Sequence, residues 1–164
     1  MESDGSMRGE FITLVPCSNI MWHEFYSRYV PDPMMDTTPY LYDFVRVEKN
    51  FQIKMADKAR KYFTILLERN VIGEVYLKHI NTEEKSTNIG IALIDDSVKG
   101  KGFGTVALKL IIDYALHVMA LNTIHAESVL RNTRSQHIME KVGFIYTHED
   151  DTFKYYKLDK DGML

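Results

Sequence analysis

Eight consecutive residues, Val98-Lys99-Gly100-Lys101-Gly102-Phe103-Gly104-Thr105, set three glycines at alternate positions and add two lysines. Such glycines allow tight, partly left-handed backbone and close approach of a ligand. Successive N–H groups in such a loop form a concave nest, and a helix starting behind it adds partial positive charge. Lys99 and Lys101 supply full charges. The chemistry these groups suit is the holding of a diphosphate. A P-loop would need Lys-Ser/Thr after its final Gly, whereas Gly104 is followed by Thr105-Val106. A G-x-G-x-x-G count fails as well, ending on Thr105 from Gly100 and on Ala107 from Gly102. The acidic residue such a motif places about 20 residues on is also missing, since Ala120-Leu121-Asn122 stand there.

Glu74 is the candidate general base. It lies within a strand pattern, on the face opposite Val75 and Leu77, and burial would raise its pKa toward neutral. A solvated or ion-paired Glu74 is the alternative. Tyr76 shares its face. The six histidines show no ligand spacing and no H-E-x-x-H, so no catalytic metal is expected. The single Cys17 has no nucleophile context.

These residues need a scaffold to position them. Glu10–Val15 reads as a strand closed by Pro16, and Ser18–Tyr29 as a helix with Ser18 or Asn19 as cap. Pro31-Asp32-Pro33 breaks it, and residues 42–60 read as mostly helical. Strands follow from Lys61, over Val71–Ile80 and over Thr87–Ile94, joined by short polar turns into an antiparallel meander. Phe103–Met119 carries helical periodicity throughout, with Lys109, Asp113 and His117 on the solvated face. A strand over Thr123–Val129 precedes a helix over Thr133–Val142 that Gly143 ends. A hairpin of Phe144–Thr147 and Thr152–Leu158 closes the chain. The fold class is α+β: a mixed, mostly antiparallel sheet flanked by helices, in a single domain.

At 164 residues and 45% hydrophobic, the chain can bury its own core. One cysteine excludes a disulfide framework and suits a reducing, cytoplasmic setting. A net charge of −3 argues against nucleic acid, and no apolar run reaches membrane-spanning length. Residues 1–9 read as a disordered or tag-like lead-in and not as a signal peptide, with the functional domain over 10–164. Eight acidic and four basic residues lie within the first 50, while the rest is nearly balanced. That asymmetry fits an acidic acceptor side facing a basic cofactor side, or simply a solvated surface.

The loop resembles the Arg/Gln-x-x-Gly-x-Gly/Ala acetyl-CoA loop of the GNAT superfamily of N-acetyltransferases, with Lys99 in the first position. Downstream, Asn132-x-x-Ser135 continuing through Lys141-Val142-Gly143-Phe144 is similar to that superfamily's second signature. The resemblance spans about residues 10–158 and lies nearest the ribosomal-protein N-terminal and polyamine acetyltransferases. It implies acetyl-CoA as cofactor, with coenzyme A as product. Backbone amides of Lys99, Gly100, Lys101, Gly102, Phe103, Gly104 and Thr105 would hold the diphosphate. Backbone groups of Ala92, Leu93 and Ile94 would pair with the pantetheine arm, one N–H polarising the thioester carbonyl. Asn132 and Ser135 would touch the pantetheine near sulfur, although Asn132 can equally serve as a plain helix cap.

The resemblance also implies the reaction: transfer of acetyl from acetyl-CoA to a primary amine, on a small molecule or a protein N-terminus. Asp32, Asp36, Asp43 and Glu48 lie in the region that shapes the acceptor pocket and point to a cationic acceptor. Against a polyamine stands Tyr76-Leu77-Lys78-His79, where polyamine-acetylating relatives carry acidic residues. The tyrosine expected seven residues after the Asn is Met139, which cannot donate a proton, so Ser135 or a tyrosine such as Tyr146 is the candidate acid, or the thiolate leaves unassisted. That gap motivates the alternative, a non-catalytic coenzyme A-binding or sensing module of the same fold. A homodimer is compatible with either.

Overall fold

The structure, a computed structural model, describes residues 1–163. Met7–Arg8 (β1) pairs antiparallel with Ile12–Pro16 (β2), Met7 opposite Leu14. The lead-in expected to lack structure therefore ends in an edge strand. Met7 is buried in the main core, and Gly9 lies so close to Val106 and Leu110 that a β-carbon there would collide with both. The docked Met7, the turn bonds among Glu2, Asp4, Gly5 and Ser6, and the close fit of Gly9 together order the segment.

Ser18 caps helix Asn19–Arg28 (α1), its hydroxyl accepting from the Met21 N–H at 3.3 Å. Asp43 caps Phe44–Ala56 (α2), accepting from the Arg46 N–H at 2.7 Å. Lys61–Leu67 (β3), Asn70–Asn81 (β4) and Ser86–Leu93 (β5) form the expected antiparallel meander. Phe103–Asp113 (α3) continues as a π-helical segment over Tyr114–Val118 instead of one α-helix to Met119. Within this wider turn Tyr114, Ala115 and Leu116 are buried in succession. Thr123–Val129 (β6), Thr133–Lys141 (α4), Ile145–Glu149 (β7) and Phe153–Asp159 (β8) complete the fold, with a 3₁₀ turn over Lys160–Met163.

The eight strands run in the order β1-β2-β3-β4-β5-β6-β8-β7. All neighbours are antiparallel except β5 and β6. On one face α3 sets Leu108 and Ile111 into a core with Ile65, Val75 and Leu77. On the other, α1 and α2 bury Trp22, Phe25 and Val47 over Tyr62 and Val71. Each such aliphatic or aromatic side chain contributes roughly 1.5–3 kcal/mol on burial. No helix of the described residues is long and apolar enough to cross a membrane.

Candidate active site

The parallel pairing of β5 with β6 lasts for three residue pairs, from Ser86–Thr123 to Asn88–His125. Beyond Asn88 the strands diverge, and the sheet opens into a cleft. A cavity of about 410 Å³ fills it, lined by Ile91, Ala92 and Leu93 of β5, the loop after it, the first turn of α3, and α4. Main-chain alternation decides which groups face it. The Ile94 N–H donates to the Ile72 carbonyl at 2.8 Å, and the Val30 N–H donates to the Ile94 carbonyl at 2.8 Å. Ile94 is thus consumed within the fold and does not line the cavity. By the same parity Ala92, opposite Glu74, turns its main-chain groups toward β4, whereas Ile91 and Leu93 present theirs to the open edge. Of the three residues expected to pair with pantetheine, Leu93 has the main-chain orientation for it, and Ile91 joins it.

The loop that closes the cleft starts with a 3₁₀ turn over Asp96–Val98. Gly100 and Gly102 have φ of +71° and +88°, the left-handed region that glycine enters without strain. Gly102 occupies the cap position of α3 with no side chain on the exposed amides, so the first-turn N–H groups stay open to a ligand. A β-carbon at Gly104 would stand 3.7 Å from Ile91 and 3.8 Å from Leu93, within ordinary contact, so the residue keeps room for a ligand. Lys99 departs from expectation. Its N–H donates to the Asp96 carbonyl at 3.3 Å, and its ammonium is held by Asp32 and Asp96, both at 3.1 Å. Lys101 is exposed and lies outside the lining.

On the opposite wall Asn132 is buried and caps α4, its side-chain oxygen accepting from the Ser135 N–H at 3.1 Å. It lines the cavity together with Ser135 and the buried Met139. Tyr146 does not reach this wall. It lies half-exposed on β7, packed against Tyr156.

Glu74 is 6% exposed, beneath α1. Burial pushes its carboxyl up to about 7, opposed by a hydrogen bond from the Tyr26 hydroxyl and by the nearby Lys54 cation. Tyr26 donates to Oε1 at 2.8 Å. Oε2 has no partner, and among the described residues no buried polar side-chain atom lacks one, so Oε2 keeps some open surface. Around the pair stand Trp22, 4.8 Å from Tyr26 between ring centres, and Tyr62, stacked at 4.8 Å on Tyr76. Lys54 lies 5.5 Å over the Trp22 ring. A carboxyl poised near neutrality can take a proton from an ammonium group at physiological pH.

Of the four carboxylates read as an acidic acceptor surface, Asp32 and Glu48 are held by other side chains, whereas Asp36 and Asp43 accept from backbone N–H groups and stay exposed. Asp32 holds Lys99, with Arg134 at 3.7 Å, and Asp36 accepts from the Thr38 N–H at 2.8 Å. Asp43 is the α2 cap, and Glu48 binds Asn19, His23 and Gln52, which hold its carboxyl down at about 2. What sequence spacing missed is the segment between α1 and α2. Arg131 donates to the carbonyls of Met34 and Met35, both at 2.7 Å, and Tyr29, Asp32 and Met35 line the cavity. Pro31-Asp32-Pro33 marks a break there but gives no sign of where the broken chain goes.

Comparison with known proteins agrees with this geometry. The family model described as an acetyltransferase (GNAT) domain matches residues 13–145. Among curated proteins, the probable N-acetyltransferase YjcK of Bacillus subtilis is 36% identical over 74 residues, 45% of this chain and 41% of that protein. Spermidine N(1)-acetyltransferase of Escherichia coli is 28% identical over 101 residues, 62% and 54%. Acetyltransferase PseH of Campylobacter jejuni is 28% identical over 99 residues, 60% of each. The chain thus spans about half the length of the curated relatives it matches. A chimera of the spermidine N-acetyltransferase SpeG from Vibrio cholerae superposes with a TM-score of 0.81 at 20% identity, covering 93% of this chain and 97% of that one. From the glycine loop, the parted strands and the family match together, the chain belongs to the GNAT acetyltransferase family.

Proposed function

We propose that this chain is an N-acetyltransferase that moves an acetyl group from acetyl-CoA to a primary amine. The observation that carries the reading is the parting of β5 from β6 after Asn88, which aims open main-chain groups and the uncapped start of α3 into one cavity. The residues fit the cofactor: left-handed glycines give a concave nest, and the missing β-carbon of Gly104 leaves the approach clear. Amides from Gly100 to Thr105 hold the diphosphate, and Leu93 and Ile91 pair with the pantetheine arm as an added strand would. Acetyl-CoA supplies the thioester. An outward N–H of β5 stabilises charge on the carbonyl oxygen, Asn132 and Ser135 position the arm, and Glu74 takes the proton of the acceptor ammonium.

The acceptor is a small-molecule amine or a protein N-terminus. Spermidine, the substrate named for one relative, belongs in the test panel. The pairing of Asp32 and Glu48 with other side chains, and Lys54 beside Glu74, favour an acceptor with a single positive charge over a polyamine. A cytoplasmic location fits the one cysteine, which is unpaired.

Calorimetric unfolding with acetyl-CoA at a hundredfold over its dissociation constant is expected to show about 2.7 kcal/mol of added stability. Thiol release with an amine panel then identifies the acceptor. No added stability would overturn the reading.

A further inference from the structure

We infer that Tyr29, at the end of α1, is the general acid that protonates the departing thiolate. This rests on the acetyl-transfer reading and deepens it. The wall of the cavity on α4 offers Met139, whose thioether carries no proton to give. Three hydroxyls line the cavity: Thr105, Ser135 and Tyr29. Thr105 belongs to the diphosphate end. Ser135 and Thr105 are aliphatic alcohols, far weaker acids than a phenol, whose ordinary pKa of about 10 lies near that of a thiol at about 8.5. Tyr29 packs in one apolar cluster with Ala92, beside the main-chain edge that would hold the thioester.

The ring is fixed and the hydroxyl is free. Tyr29 stacks on Phe25 at 5.1 Å and meets Tyr40 edge-on at 5.5 Å. Among the described residues its hydroxyl has no hydrogen-bond partner, and no buried polar side-chain atom lacks one, so the hydroxyl is reachable. Tyr26, one turn away, is committed to Glu74. Tyr29 is also the one residue shared by the cofactor cavity and a second cavity of about 390 Å³ beneath residues 30–40. A hydroxyl in that shared wall stands where donor and acceptor would meet. Burial, with Glu74, Asp32 and Asp36 nearby, raises its pKa, so the resting hydroxyl carries its proton.

In the step itself the acceptor nitrogen, having given a proton to Glu74, bonds to the carbonyl carbon. The carbon–sulfur bond breaks with its electron pair on sulfur. The Tyr29 proton passes to sulfur, the nitrogen sheds its second proton to water as the amide forms, and the tyrosinate regains a proton from water. The products are the amide and the free thiol.

The test is Tyr29→Phe, which keeps the ring and removes the proton. Expected are unchanged stabilisation by acetyl-CoA and a kcat at least about 100-fold lower. With the selenium analogue of acetyl-CoA, whose selenolate leaves without a proton, the loss should shrink to a few-fold. An unchanged kcat overturns the inference. So does an equal loss with both donors, or a lost acetyl-CoA stabilisation, since either would mark the ring as structural. Wild-type protein that binds acetyl-CoA but releases no thiol with any amine overturns the acetyl-transfer reading itself, and this inference with it.

Discussion

On the β5–β6 side of the molecule, the cavity is met by outward main-chain groups of Ile91 and Leu93 and by the uncapped first turn of α3. On the α1–α2 side stand rings, hydroxyls and one carboxyl, packed among Trp22, Tyr26, Tyr29, Tyr62 and Glu74. A ligand read by backbone demands a shape, and shape at that scale requires glycine at fixed positions. A pocket made of side chains demands only that particular groups meet, and they can arrive from anywhere in the chain. The first kind of site should tolerate loss of a side chain and fail when a methyl is added. The second should do the reverse.

The largest expected effect is on the side-chain half. Glu74→Gln should lower kcat/KM by about 10²- to 10⁴-fold and abolish the rise in rate through about pH 7. Stability should respond with the opposite sign. The folded pKa of Glu74 lies above its unfolded value, so its own contribution to stability is fully present below about pH 4.5 and is lost up to about 7, on the order of 3 kcal/mol. Glu74→Gln should remove that slope in denaturant titrations. An unchanged rate and slope would place the base elsewhere.

Next comes Gly104→Val. Its β-carbon is accommodated by the fold, but its branches enter the ligand's space. The roughly 2.7 kcal/mol gained from a hundredfold excess of acetyl-CoA should vanish while circular dichroism stays native. Retained stabilisation would move the cofactor away from α3. Gly102→Ala is smaller. With nothing within 4 Å of the added carbon, its cost is that of φ at +88°, about 1–2 kcal/mol in urea unfolding. Smallest is Lys99→Met. Because Asp32 and Asp96 already hold the ammonium, acetyl-CoA affinity should change by less than about threefold in calorimetric titration. A tenfold loss would show that Lys99 exchanges its carboxylates for phosphate and would blur the contrast between the halves.

The same contrast explains what could be read from residue order. The glycine loop is legible because Gly100, Gly102 and Gly104 fall within five residues at the start of a strongly periodic helix. The meander and Glu74 followed from strand patterns, and the Asn132 cap from its place before α4. Ile94 was misassigned because its place at the strand end says nothing about which way its amide turns; hydrogen bonds with Ile72 and Val30 decide that. Residue order does not show that Asp32, one of the acidic N-terminal residues, is held by Lys99, 67 positions along. Tyr29 carried no signal, since its meaning arises only where the broken segment after α1 folds back over the cleft. Met7 likewise shows its role only once β2 stands beside it.

The π-helical segment after α3 has a bearing on how this chain can change length. Over Tyr114–Val118 the helix closes i→i+5 bonds, the Met119 N–H donating to the Tyr114 carbonyl at 3.0 Å, one residue more per bond than in an α-helix. The segment therefore stores slack far from the cofactor loop. A one-residue deletion within it can be absorbed by tightening to α geometry, leaving Gly100–Thr105 and the first turn of α3 in place. In an α-helix of ordinary pitch, the same deletion would rotate everything beyond it by about 100°. The far end of α3 is thus a place where a one-residue deletion can be absorbed without disturbing the end that faces the cavity.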